Sequence, residues 1–508
     1  MPFLPRSYGP LLRRPPIILA RRGIVTTTSA TGTHTVDRDI PPLTRRKPKK
    51  EGTIEDVFDF QTESSPPLPE RFQALKKEIF KPGLVNSWNE ILQELDTVTA
   101  DISRRGPNAI PQIEAANFKE GLSPQQVASI KTAGCVIVRG AVPPEEALAW
   151  KESAKEYIKL NKEKVTGGPA GRIVFYEIYN SQAQIAARTN PSVVAIQRAL
   201  LSFWHNTDPV NTLVDLKTPI SYFDRLRIRP PGPSTFTLGA HIDGGGVERW
   251  EDEKYRECFK QIFEGNWKAH DAFDVAPRLS AKQDLYDAAN QCTVFRPWQG
   301  WTSLSSTEAN EGTLQVLPFL NLATAYIMLR PFFRLKPQYQ ELSKIPGKVP
   351  LAADKWEVDL DSSSFPGNQL AKTQSLTETT HPHLRLDKSL VSIPKVEPGD
   401  QVYWHCDLVH AVESQHTGVG DSSVFYIPAV PLTVKNAEYL RDQRENFTAG
   451  KPAPDFPGGE GESTFNDRPT PNDIRDIESR RLLGLAPFES STTGTSELIR
   501  KANAILGF

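Results

Sequence analysis

With 508 residues, 38% of them hydrophobic and 24% charged, the chain can bury a sizeable core and needs no disulfide staples. Sixty basic residues against 61 acidic ones leave a formal charge of −1, so no net field favours nucleic acid or acidic lipid, and nucleic acid is set aside as a partner. Four scattered cysteines (Cys135, Cys258, Cys292, Cys406) form no CxxC pair and suit an intracellular chain with reduced thiols, while no apolar run reaches the ~18 residues of a transmembrane segment.

Residues 1–36 carry Arg6, Arg13, Arg14, Arg21 and Arg22 with no acid before Asp37. They read either as a mitochondrial presequence, drawn by a negative-inside potential, or as a disordered basic tail of a cytoplasmic protein; five prolines between Pro2 and Pro16 oppose the amphipathic helix of a presequence. Residues 37–70, with the basic run Arg45 to Lys50, read as a solvated linker. Over 71–110 the spacing of Trp88, Ile91, Leu92, Leu95 and Ile102 predicts packing helices, with Ser87 and Glu90 as a capping box.

The main domain is expected over 111–435. Ser123-Pro124 opens a helix, Gly134 to Gly140 brackets a buried strand, and Pro143-Pro144 starts a helix whose inner face is Trp150, Ala154, Tyr157 and Ile158. From Ile173 short β-rich runs separated by turn residues predict an all-β sandwich or barrel. The strands are expected at Tyr222 to Ile228, Thr293 to Leu304, Gly312 to Leu317, Leu390 to Pro394, Gln401 to Trp404 and Ser423 to Ile427. Two non-β insertions interrupt them, at 248–290 and 331–383; Trp250, Tyr255, Phe259, Phe263 and Trp267 predict a lid helix in the first. A helical extension over 436–508 ends in a helix from Ser496 to Leu506.

Chemistry concentrates in Leu238 to Gly246, which contains His241-Ile242-Asp243, and in Pro398 to His410. A histidine and an aspartate two apart lie on one side of an extended strand, and a distant histidine completes one face of an octahedral metal, leaving positions open. Gly244 to Gly246 are expected to let backbone approach the metal and its ligand. His405 and Asp407 form a second HxD, read as core or supporting residues because three ligands within His405 to His410 cannot wrap one face. His381 and His383 read as a proline-braced loop rather than a second metal pair, and His270 and His416 as surface residues.

On the HIDGG motif, Trp298-Gln299-Gly300-Trp301-Thr302-Ser303, Asn310 to Pro318, the PGDQVYWHCDLVHAVE block and the ending Leu483 to Phe508, the chain resembles the phytanoyl-CoA dioxygenase-like branch of Fe(II)/2-oxoglutarate oxygenases. More narrowly it resembles the family numbered 1479 among domains of unknown function. The resemblance implies a mainly β fold with flanking α: a double-stranded β-helix (jelly roll, cupin-like) core with N- and C-terminal helical extensions and two insertions. It also implies an iron triad of His241, Asp243 and His410, Trp301 on the strand walling the pocket, and a dioxygenase that uses O₂ and 2-oxoglutarate to hydroxylate a small-molecule substrate. The branch usually carries an arginine about eleven residues past the distal histidine, where this chain has Gly420-Asp421-Ser422-Ser423. The alternating Arg225, Arg227 and Arg229 offer a replacement clamp, with Ser423 or Tyr426 as hydroxyl partner, or else form a charged solvent-facing edge. Two rival readings stay open: a Zn²⁺ or Mn²⁺ hydrolase or isomerase on the same barrel, and a catalytically silent small-molecule-binding protein.

Overall fold

Hydrophobic periodicity sets the long helices. Leu84–Arg105 buries Leu84, Trp88, Ile91, Leu92, Leu95 and Ile102 on one face, the stripe of an amphipathic helix. It starts at Gly83, so Ser87 lies a turn inside, and its hydroxyl donates to the Gly265 carbonyl at 3.0 Å instead of capping. Ser123 does cap Pro124–Ala133, exchanging bonds with Gln126. Helices Pro144–Leu160 and Ser496–Leu506 and strand Cys135–Arg139 stand where their patterns place them.

The computed structural model describes residues 46–58, 67–169, 171–233, 238–345, 347–489 and 495–508; the presequence or tail expected over 1–36 lies outside them. Two sheets position the site. They are built from β1 (Gln112–Glu114), β2 (Cys135–Arg139), β3 (Gly167–Gly168), β4 (Phe175–Tyr176), β5 (Leu226–Arg229), β6 (His241–Ile242), β7 (Trp298–Ser303), β8 (Leu314–Val316), β9 (Gln374–Ser375), β10 (Val391–Ser392), β11 (Gln401–His405), β12 (His410–Val412) and β13 (Ser422–Tyr426). The larger sheet runs β1-β2-β11-β7-β13-β5-β4-β3 and the smaller β9-β6-β12-β8-β10. All pairings are antiparallel except β1 with β2.

The chain is mixed α/β with several sheets, more helical than the expected mainly β fold. Leu320–Leu329 is a helix buried at every position but Asn321, so it shows no 3.6-residue period to read. The segment 331–383 is not free of β structure: it holds Phe333–Leu335 paired with Trp356–Val358, and β9, an edge of the smaller sheet. Strands of two or three residues are too short to display alternation. In 248–290 the expected lid helix is three short helices, Glu248–Glu251, Glu253–Glu257 and Lys260–Phe263. Their aromatics, with Trp267, are buried in the main core, and the Trp250 indole donates to the Met328 carbonyl at 3.0 Å.

Several polar residues expected in solvent are inside. His270 and His416 are buried. His383 is hydrogen-bonded to the Tyr326 hydroxyl at 3.0 Å and the Leu351 carbonyl at 2.9 Å, as a packing residue. The basic run is no free linker from Arg46 onward: Lys49 pairs with Asp284 at 3.0 Å, with both side chains nearly covered, Lys47 pairs with Asp287 at 2.9 Å, and Arg46 donates to the Thr293 hydroxyl.

The buried Glu462 ties the C-terminal region to the rest. Its carboxylate accepts from the backbone N–H of Tyr179 (2.9 Å) and Asn180 (3.1 Å), the Asn180 amide (3.1 Å) and the Tyr157 hydroxyl (3.2 Å). Burial raises its carboxyl to about 6 against the opposing pull of these donors. The folded state therefore holds this proton more tightly than the unfolded chain, so the stability it contributes is complete below pH 4.5 and is lost as pH rises through about 6. Glu462→Ala strands four donors in the interior, and we predict a loss of about 3 kcal/mol or more in urea unfolding, together with loss of that pH step.

Candidate metal centre

β6 and β12 are neighbours in the smaller sheet, with His241 directly opposite His410 in register. Cross-strand pairing brings the two imidazole centroids to 4.1 Å, and the two-residue period returns Asp243 to the same side. The Asp243 carboxylate lies 3.6 Å from His241 Nε2 through Oδ1 and 3.5 Å from His410 Nε2 through Oδ2. The three ligand atoms all lie within 4.8 Å of one another.

Each ring is oriented from behind. His241 Nδ1 faces the Gly239 carbonyl at 2.7 Å and His410 Nδ1 faces the Leu408 carbonyl at 2.9 Å. A carbonyl only accepts, so each Nδ1 donates to its carbonyl, and each Nε2 is turned toward the space it shares with Asp243 as the atom available to a metal. Burial, reinforced by His410, pushes His241 down to about 4, so it is neutral near pH 7. Burial would raise the Asp243 carboxyl, but His410, His241 and Arg296 together hold it well below the usual carboxylate range. Two imidazoles and one carboxylate at this spacing suit a single divalent ion with open positions.

Gly244 and Gly245 take φ of +77° and +92°, where a side chain is strained. A Cβ on Gly245 would lie 2.7 Å from the Gln283 carbonyl, and one on Gly246 2.5 Å from that of Lys372. The glycines thus admit neighbouring backbone, a different reason from the expected approach of metal and ligand.

A cavity of about 110 Å³ adjoins the triad, walled by both sheets. Arg225, Arg227, Trp301 and Tyr426 line it with His241, Asp243 and His410. The solvent-edge reading of the arginines is overturned, because β5 lies between β13 and β4, inside the larger sheet. Leu226 and Ile228 pack outward with Trp150 and Phe425, and Arg225, Arg227 and Arg229 are buried on the other face. The hydroxyl partner of Arg227 is Ser422, at 2.9 Å; Ser423 points away and donates to Asp421 at 2.5 Å. That difference is one residue of strand phase. Asp421, where the wider branch has a basic residue, is paired with Lys151 at 2.5 Å.

Sequence reasoning missed other lining residues. Arg296 lies 3.9 Å from both Asp243 and Asp224, and Arg225 donates to Asp224 at 3.2 Å and Asn290 at 3.1 Å. A charged pair interrupting the apolar run Tyr222 to Ile228 was a legible signal for Asp224. The N-terminal segment supplies Ile54, Val57 and Phe58, with the Phe58 ring edge-on to His241 at 4.8 Å. No local pattern announces a contact spanning more than 180 residues.

The second HxD is structural. His405 stacks on Trp204 at 4.8 Å and its Nε2 meets the Ala272 carbonyl at 3.0 Å, while Asp407 pairs with the buried Arg278 at 2.5 Å. His405 Nε2 and Asp407 Oδ2 are thus taken up by protein partners.

Fold and site together define a mixed α/β chain with a two-histidine, one-carboxylate candidate metal centre beside a cavity walled by two largely antiparallel sheets. The chain belongs to the Gig2-like family, whose model matches residues 66–485. It is 32% identical over 412 residues to the uncharacterized protein YbiU of Escherichia coli K12, covering 78% of this chain and 91% of that one. The solved structure of GlcNAc Inducible Gene 2 from Candida albicans, a member of family 1479, is similar with a TM-score of 0.77 and 33% identity, over 87% of this chain and 96% of that one. A Salmonella typhimurium LT2 protein that carries the provisional name of oxidoreductase superposes with a TM-score of 0.69 at 30% identity, over 83% and 99%. The narrower resemblance is thereby established, and the wider phytanoyl-CoA dioxygenase-like one is not. Among the described residues, no helix is long and apolar enough to cross a membrane.

We predict that iron-loaded wild-type protein retains about one metal equivalent, that His241→Ala and His410→Ala each retain less than about a tenth of it, and that His405→Ala retains it in full while losing about 3 kcal/mol of stability. Elemental analysis and thermal unfolding of the same preparations check both halves.

Proposed function

We propose that the chain is a non-haem Fe(II)- and 2-oxoglutarate-dependent oxygenase that hydroxylates a small organic molecule. The observation that carries this reading is the convergence of His241, Asp243 and His410 beside a cavity that holds buried arginines. Strand order supports it. Taken along the chain, β5, β6, β7, β8, β10, β11, β12 and β13 fall in the larger, smaller, larger, smaller, smaller, larger, smaller and larger sheets. With the two-residue edge strand β9 set aside, this order matches the one expected of a double-stranded β-helix and supports reading the core as the jelly roll of cupin-like oxygenases, flanked by helices.

Bound Fe(II) supplies O₂ activation coupled to oxidative decarboxylation of 2-oxoglutarate: one oxygen atom ends in succinate, CO₂ leaves, and the other oxygen converts a substrate C–H to C–OH. The protein's part is orientation and charge. His241 and His410 present fixed Nε2 lone pairs. Arg227 receives the distal carboxylate of 2-oxoglutarate: its guanidinium is held by the Gly312 carbonyl at 3.2 Å and by Ser422, and its buried Nε has no hydrogen-bond partner among the described residues. Trp301 and Tyr426 wall the co-substrate, and Phe58 keeps bulk water from the imidazole edge.

Purified protein with Fe(II), O₂ and 2-oxoglutarate is expected to release succinate, and His241→Ala to release none. Arg227→Met should raise the KM for 2-oxoglutarate by about 10- to 100-fold with a smaller change in kcat, the loss of a charge-assisted bond made equally in ground and transition states. Metal retention without succinate from the wild type would replace the oxygenase by a metal-dependent hydrolase or isomerase.

A further inference from the structure

The charges inside the cavity do not balance. Among the described residues its lining carries three guanidiniums, Arg225, Arg227 and Arg296, against two carboxylates, Asp224 and Asp243. Behind the lining, charged groups are taken up by protein partners. Lys49 pairs with Asp284, Arg278 with Asp407, Arg46 is linked to Asp455 through the Thr293 hydroxyl, and Arg229 and Arg249 donate to backbone carbonyls. The three guanidiniums and two carboxylates of the lining are the charges that face the cavity.

A divalent ion on the triad raises the surplus from one positive charge to three, and 2-oxoglutarate offsets two. One positive charge is left in an enclosure where an unpaired charge is costly. Arg296 is the guanidinium placed to receive its counter-ion. Arg225 is in direct contact with Asp224, and Arg227 is held by Gly312 and Ser422. Arg296 has no carboxylate closer than 3.9 Å among the described residues; it donates to the Gln299 side-chain oxygen at 3.1 Å and lies over the Tyr222 ring. It also stands beside Asp243, so whatever it binds lies next to the metal. Apolar surface from Ile54, Val57, Phe58, Phe175, Leu238 and Phe456 completes the enclosure.

We propose that the prime substrate is a small organic acid with a single negative charge, whose acid group is held by Arg296 and whose apolar body lies against the wall that includes Ile54, Val57 and Phe58. This rests on the Fe(II) and 2-oxoglutarate reading above, which supplies two of the three balancing negative charges. Arg296 in this role is a specificity residue for the substrate, separate from Arg227, which serves the co-substrate.

The test uses full-length, Fe(II)-loaded protein saturated with 2-oxoglutarate under anaerobic conditions. Butyrate and butyramide, matched in shape and differing in charge, are titrated calorimetrically. Butyrate is expected to bind about tenfold or more tighter than butyramide. Arg296→Gln should reduce that preference to less than about twofold with 2-oxoglutarate affinity nearly unchanged, and Arg296→Lys, which keeps the charge, should retain much of it. Equal binding of acid and amide by the wild type overturns the proposal, whether or not the glutamine variant folds, and so does a preference that survives intact in Arg296→Gln. If 2-oxoglutarate itself fails to bind the wild type, it is the co-substrate reading that falls, and the charge count with it.

Discussion

The site depends on one backbone pairing, that of β6 with β12. Because His241 and His410 are direct cross-strand partners, their side chains leave the sheet on the same face, and no long-range adjustment is needed to bring them together. Each imidazole is then held by the carbonyl two residues before it, so the strand ends that set the position also set the tautomer. Asp243 needs only the strand period to join them. Slipping this pairing by one residue would turn one histidine to the opposite face.

A second constraint is electrostatic. The larger sheet places arginines on an inward face, where each must find partners in a low-dielectric setting. Most do: Arg229 donates to the Glu413 and Ser414 carbonyls, Arg225 to Asp224, Arg227 to Gly312 and Ser422. Arg227, which lines the cavity beside the triad, keeps a buried Nε with no hydrogen-bond partner among the described residues.

Legibility in the sequence followed the length of the signal. Helices of ten residues or more with one polar face, such as Leu84–Arg105 and Ser496–Leu506, were readable because a 3.6-residue period repeats several times within them. Leu320–Leu329, buried at every position but Asn321, and β9, two residues long, offer no period at all. Ser422 and Ser423 show the limit at single-residue scale: adjacent serines on one strand face opposite ways, and composition cannot say which faces the arginine. His270 and His416 were misplaced because burial of a lone polar residue is decided by what packs over it.

By itself the amino-acid order determined the HxD motif, its strand context, the distant histidine and the alternating arginines, since each is a local pattern with a fixed stereochemical consequence. Tertiary structure alone decided that the arginine face points inward, that Arg296 joins it, that His405 and Asp407 are occupied elsewhere, and that Ile54, Val57 and Phe58 wall the cavity. The physical reason is that these are contacts between segments tens to hundreds of residues apart. Side-chain direction and burial there depend on which surfaces meet when the two sheets and their flanking helices close over a common core.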